Sequence, residues 1–174
     1  MLPFARVYCK EAEMTFQGLE WLFPVVITLH NAEEAIGFPN WSKGAGRRWH
    51  GSVTPGTFRF TVAVLTILAF ALTWMSVVSG KQSVWTYVAF GCIAVTLVNV
   101  LLPHLAATIA LHRYVPGVVT AVFLNLPVLT LLMVYALREG YVSGWKAVVY
   151  CIGVAGALVA SLPALFKLGK VLDL

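Results

Sequence analysis

The chain has 174 residues, of which 60% are hydrophobic and only 11% are charged, and its formal net charge is +5. A soluble domain carries about 25% charged residues, so this composition excludes an ordinary soluble domain and indicates a membrane protein. The net positive charge fits topology-setting lysines and arginines in loops, and because no aromatic-basic recognition motif accompanies it, we expect no nucleic-acid partner.

Five long apolar stretches follow one another along the chain, and each has the length of a membrane-spanning helix. Lipid admits only helices and closed barrels, and the alternating pattern of a barrel strand is missing. The sequence therefore predicts an all-α membrane protein, a bundle of five transmembrane helices with short loops that forms a single domain over residues 1–174. The predicted spans cover residues 18–38, 57–79, 84–103, 116–137 and 143–165.

The third stretch stays apolar as far as Leu111, which is too long for one straight span. Pro103 is therefore expected to kink or end its buried part.

The basic residues of the loops predict the orientation of the chain. The face reached after the first span receives the larger share of them, which favours the cytoplasm for that face and an N-out, C-in orientation. Those basic residues are Lys43, Arg47, Arg48, Arg59, Arg113, Lys167 and Lys170.

Ionisable residues interrupt the first predicted span, where the chain reads His30-Asn31-Ala32-Glu33-Glu34. A charged side chain near the bilayer centre costs roughly 2.5–3.5 kcal/mol on insertion scales, so three ionisable groups indicate a bound metal, a proton relay or a substrate ion. At about 100° per residue, His30, Glu33 and Glu34 all project from one side of a helix.

A histidine and two carboxylates on one helix face are candidate metal ligands. The order reverses the Glu-x-x-His motif of di-metal helix bundles and is close to the inverted zincin pattern. By that analogy His30 and Glu34 bind the metal and Glu33 acts as the base, although either carboxylate is a candidate for both ligation and catalysis. A mixed imidazole-carboxylate set suits one or two divalent ions of zinc, iron or manganese.

Polar residues from later in the chain fall at a compatible predicted depth. His104 is the expected third ligand because it lies on a neighbouring span. His112, near the membrane surface, and His50, in the loop after the first span, are lower-ranked candidate ligands. Asn99 and Asn125 are candidates for orienting a ligand through a hydrogen bond, and interhelical hydrogen bonding is the structural alternative for both.

Three functional hypotheses fit these residues. The first is a metal-dependent membrane enzyme, a hydrolase or an oxidase, whose partners are membrane lipids and a lipid-like or amphiphilic substrate. The second is a proton-relay or transport protein in which the same carboxylates carry protons. The third is a structural subunit of a membrane complex, or an oligomer of identical chains. Structural interpretations also stay open, because Glu33 and Glu34 could snorkel to the interface and His30 could bond a backbone carbonyl.

Further strings accompany the motif in order along the chain. They are Phe38-Pro39-Asn40-Trp41, then Asn99 and His104, then Tyr114-Val115-Pro116-Gly117 with Thr120. On these residues the chain resembles the bacterial membrane proteins named for their HXXEE motif, a family of undetermined function for which metal binding and an enzymatic role have been suggested. The resemblance implies the bacterial inner (cytoplasmic) membrane and points to His30, Glu33, Glu34 and His104, with Asn99 in support.

Overall fold

A computed structural model describes residues 14–44 and 54–172, and all the regular secondary structure in these ranges is helical. This confirms the all-α prediction. A short helix precedes five long ones, and their bounds are α1 Phe16–Leu19, α2 Leu22–Gly44, α3 Pro55–Ser79, α4 Val84–Leu111, α5 Val118–Arg138 and α6 Gly144–Val171.

Four of these helices, α3 to α6, are long and apolar enough to cross a membrane. Helix α2 has 23 residues and is therefore about 35 Å long at 1.5 Å per residue. Its length suffices for a span, but His30, Asn31 and the two glutamates make it more polar than the other four. The membrane crossing by α2, which a five-span bundle requires, and the N-out orientation both stay predictions.

Local capping explains where two of the apolar helices begin. The Thr54 side chain accepts a hydrogen bond from the backbone N–H of Thr57 at the start of α3, and Pro55 occupies the first helical turn. The Ser83 side chain does the same for the N–H of Thr86 at the start of α4. Serine and threonine caps satisfy backbone donors that a helix leaves unpaired, and proline at the first position lacks that donor.

Helix α4 lies at the centre of the bundle and packs against α3, α5 and α6, while α2 packs against α3 and α5. The fully buried core includes Ile93 of α4 and Leu129 and Leu132 of α5, with Phe23 of α2 packed against it. Helix α6 is peripheral, since only 6% of its most apolar 18-residue stretch is buried. An apolar helix that stays this exposed suits contact with lipid.

Two of the helices contain π-helical segments, Val100–Ala106 in α4 and Ala121–Asn125 in α5. Proline lacks an N–H and its ring clashes with the preceding turn, so a regular α-helix cannot pass through Pro103 undisturbed. The wider π-helical segment accommodates it, and α4 continues to Leu111 instead of ending at the proline. The two π-helical segments contact each other, and such segments are frequent at functional sites.

Candidate metal centre

Three of the predicted ligands converge between α2 and α4. His30 and Glu34 lie one turn apart on α2, and His104 lies in the π-helical segment of α4. One potential ligand atom of each lies within 4.8 Å of those of the other two. Glu34 Oε1 is 3.3 Å from His104 Nε2 and 3.8 Å from His30 Nε2. The two imidazole rings meet edge to face, with centroids 4.8 Å apart and an interplanar angle of 88°.

The two separations from Glu34 are close to those of ligands around one small cation. Nitrogen and oxygen ligands at about 2.1 Å in a tetrahedral zinc site lie about 3.4 Å from one another. The two distances from Glu34, 3.3 and 3.8 Å, are close to that value. The two histidine donors lie within 4.8 Å of each other, so a common ion would draw the two rings closer together.

A hydrogen-bonded chain orients the His30 ring. Its Nδ1 lies 3.1 Å from the Thr120 hydroxyl, and that hydroxyl is also 2.6 Å from Glu33 Oε2 and 3.2 Å from the Gly117 carbonyl. A carboxylate and a carbonyl only accept, so the hydroxyl donates its proton to one of them and accepts from His30 Nδ1. Proton donation by Nδ1 leaves a lone pair on Nε2, the nitrogen that faces Glu34.

Glu33 lies outside the three-residue cluster because α5 occupies its carboxylate. Its Oε1 accepts hydrogen bonds from the Tyr114 hydroxyl at 2.5 Å and from the backbone N–H groups of Gly117 and Val119 at 3.0 and 3.3 Å. Its Oε2 accepts from the N–H and the hydroxyl of Thr120. Unpaired N–H groups at a helix N-terminus favour an anion, so Glu33 joins α2 to the start of α5.

Gly117 permits the close approach of α5 to the cluster. Its φ is +93°, and a Cβ built there would lie 2.6 Å from His104 Cε1 and 3.0 Å from Glu34 Cγ. Only glycine adopts this backbone conformation readily and leaves that space free. His30 and His104 are 3% and 4% exposed. Neither His30 Nε2 nor His104 Nδ1 has a hydrogen-bond partner in the part of the chain that the structure describes.

A cavity of about 480 Å³ adjoins the cluster on the side away from α5, within the range of known ligand pockets. Helices α2, α3, α4 and α6 form its walls, and His30 and Glu34 contribute to the lining. The cluster therefore lies between the N-terminal turn of α5 and a half-open, mainly apolar cavity.

The other predicted site residues are dispersed. Asn99 lines the cavity together with His30 and Glu34. Asn125 is fully buried, and neither its amide nitrogen nor its amide oxygen has a hydrogen-bond partner within residues 14–44 and 54–172. His112 is exposed at the C-terminus of α4, with φ +49°, and is not part of the cluster. His50 lies outside the described residues.

Sequence reasoning did not select Tyr114, Gly117 and Thr120 as site residues. All three belong to the string that opens α5, and together they supply four of the five hydrogen bonds to Glu33. A polar cluster beside a proline-glycine pair at the start of an apolar helix was the available signal, because a helix start exposes several N–H donors to any acidic residue nearby.

Comparison with known proteins shows that the residues of this site lie in a region shared with a protein family. Residues 21–132 match the family described as "Protein of unknown function with HXXEE motif". The chain is also 34% identical over 148 residues to the "Uncharacterized protein YrkK" of Bacillus subtilis (strain 168), an alignment that covers 84% of this chain and 92% of that protein. No solved structure matches. The family match includes all three clustered residues.

Proposed function

The chain belongs to the HXXEE-motif family, whose function is unknown, and we propose that it is a metal-dependent membrane enzyme that binds one divalent ion through His30, Glu34 and His104. The observation that carries the proposal is the convergence of three potential ligand atoms from two helices within 4.8 Å of one another. Two of the three side chains are almost fully buried, where an imidazole nitrogen without a partner is costly.

The ligand chemistry narrows the choice of metal. Two imidazoles and one carboxylate suit zinc, iron or manganese, and the absence of a thiolate from this set argues against copper(I) and iron-sulfur clusters. Three donors around one point favour a single ion over the two that the sequence also allowed. Three protein ligands with one open position are the pattern of a catalytic metal site, whereas structural sites use four.

The side chains take distinct roles in this proposal. His30, Glu34 and His104 hold the ion, which when bound supplies a Lewis acid that polarises a carbonyl or phosphoryl oxygen. Glu33 keeps its five donors and positions His30 through Thr120. Because Oε1 is the Glu34 oxygen nearest both histidines, Glu34 would bind the ion through Oε1 and accept a proton on Oε2.

The proposed setting is the bacterial inner (cytoplasmic) membrane, with the N-terminus outside and the site toward the cytoplasmic half. Four apolar helices and the uneven distribution of lysine and arginine between the two sets of loops support it. The cavity that adjoins the site is mainly apolar, which supports membrane lipids as partners and a lipid-like or amphiphilic substrate.

Elemental analysis of the detergent-purified chain, loaded with zinc and then dialysed, tests the proposal. We expect one ion per chain, lost in His30→Ala and in His104→Ala. His112→Ala is the matched control, because this histidine is exposed and outside the cluster, and it should retain the ion. A metal-free wild-type chain, or equal metal in all four proteins, would contradict the proposal and favour a proton relay or a structural role.

A further inference from the structure

We infer that the cavity beside the cluster receives a single hydrocarbon chain of the substrate, with the reacting polar group at His30 and Glu34. This inference rests on the proposed function and adds to it the class of substrate, namely a single-chain amphiphile. A lipid that must bury two chains at the site is excluded by it.

The walls of the cavity offer almost nothing to a polar ligand. Two threonines line it, but the Thr61 hydroxyl donates to the Thr57 carbonyl and the Thr96 hydroxyl donates to the Cys92 carbonyl, one turn back in each helix. Such back-bonding satisfies the hydroxyl within its own helix. Asn31 likewise directs its amide nitrogen to α3, at 2.8 Å from the Thr66 hydroxyl.

The remaining polar groups of the lining are His30 and Glu34 of the cluster and Asn99 of α4. The rest of the surface is aliphatic or aromatic apart from one cysteine. A ligand that matches this lining is apolar over most of its length and polar at one place. That distribution is the chemistry of an amphiphile, and it puts the polar group at the candidate metal centre.

The volume of the cavity favours one chain. At about 480 Å³ it lies in the lower half of the range of about 300–1,000 Å³ for pockets that take one drug-sized ligand. This size suits one fatty chain or a short isoprenoid better than two long chains side by side.

The position of the cavity explains how such a chain reaches it. The cavity is half open, and two of its lining residues, Leu68 of α3 and Val159 of α6, are 48% and 69% exposed. The cavity therefore communicates with the surroundings of the bundle near these two apolar residues. A chain already dissolved in the bilayer can enter sideways without crossing water, while α5 closes the opposite side of the cluster.

Photo-crosslinking of the purified, zinc-loaded full chain with a diazirine-bearing hexadecanoic acid tests the inference. We expect labelled peptides from the cavity faces of α3 and α4. In Ala69→Phe, which fills the cavity, labelling should fall by roughly tenfold or more, equivalent to about 1.4 kcal/mol of binding free energy. Ala71→Phe is the matched control, because Ala71 lies on the same helix but is exposed and does not line the cavity.

Three outcomes distinguish this inference from the metal proposal. If Ala69→Phe keeps one zinc ion per chain but loses labelling, both are supported, and zinc retention shows that the variant folds. If the wild-type chain binds zinc but is labelled only on the outer face of α6, the inference is overturned and the metal proposal stands. If labelling depends on Ala69 but no chain binds zinc, the metal proposal fails.

A second cavity variant and a competition experiment complete the test. Val95→Phe fills the cavity from α4 instead of α3 and should reduce labelling in the same way, so a folding defect of Ala69→Phe does not decide the result. Unlabelled hexadecanoic acid should compete with the probe, whereas a phosphatidylglycerol with two hexadecanoyl chains should compete poorly. Equal competition by the two lipids would overturn the single-chain assignment.

Discussion

Replacement of Thr120 by valine should weaken metal binding although Thr120 is not a ligand. Valine keeps the shape of threonine but removes the hydroxyl, which lies 3.1 Å from His30 Nδ1 and 2.6 Å from Glu33 Oε2. His30 then loses the acceptor that holds its proton on Nδ1 and its lone pair on Nε2. Loss of a partner that orients a ligand typically costs 10–100-fold in metal affinity.

We therefore expect the zinc dissociation constant of Thr120→Val to rise roughly 10–100-fold, or about 1.4–2.8 kcal/mol. A competition titration of the detergent-purified chain against a fluorescent zinc chelator measures this directly. Thr120→Ser retains the hydroxyl and should bind zinc almost as tightly as the wild type. Unchanged affinity in the valine variant, or an equal loss in the serine variant, would refute the proposed orientation of His30.

Three further predictions follow from the same structure. Gly117→Ala should abolish zinc binding, because its Cβ would lie 2.6 Å from His104 at a φ of +93°; retention of one ion per chain in elemental analysis would contradict this. Desolvation and the hydrogen bond to Glu33 raise the pKa of Tyr114 to about 12. The protonated Tyr114 hydroxyl therefore contributes fully to the free energy of unfolding below a pH of about 10, and this contribution is lost as the pH rises through about 12. Ultraviolet difference titration of the wild type against Tyr114→Phe should show that midpoint, and an unshifted one would count against the contact. Asn125→Leu should raise the thermal unfolding temperature, because the two polar atoms of its amide are buried and have no partner among residues 14–44 and 54–172, and each such atom costs about 1–3 kcal/mol. A lower unfolding temperature would contradict this prediction.

The parts of the site that the sequence predicted are those set by local geometry. The spacing of His30 and Glu34 places them one helical turn apart whatever surrounds α2. His104 could be predicted by a second argument, because the order of the spans brings it to a similar depth on a neighbouring helix. The structure brings these three residues together.

The different roles of Glu33 and Glu34 could not be predicted in the same way. Both project from the same side of α2, so only the packing of α5 distinguishes them. The donors to Glu33 lie 81 to 87 residues further along the chain, and no local pattern specifies which carboxylate they meet. The catalytic role that the sequence suggested for Glu33 stays a prediction, and the occupied oxygens favour a positioning role.

Two features of the fold were also beyond sequence reasoning. A proline inside a long apolar stretch predicts a kink or an end, but the π-helical segment that carries α4 past Pro103 lies against the corresponding segment of α5, and no local pattern specifies that contact. The crossing by α2 stays a prediction for a related reason. Its length suffices for a span, whereas its polar residues can enter lipid only if other helices and an ion satisfy them.

Zinc-edge X-ray absorption of the loaded, detergent-purified chain tests the central claim most directly. We expect a first shell of nitrogen and oxygen at about 2.0–2.2 Å with the multiple scattering of two imidazoles, and the loss of one imidazole contribution in His104→Ala. A shell of oxygen atoms alone, a sulfur shell near about 2.3 Å, or a spectrum that His104→Ala leaves unchanged would contradict a metal ion shared by α2 and α4.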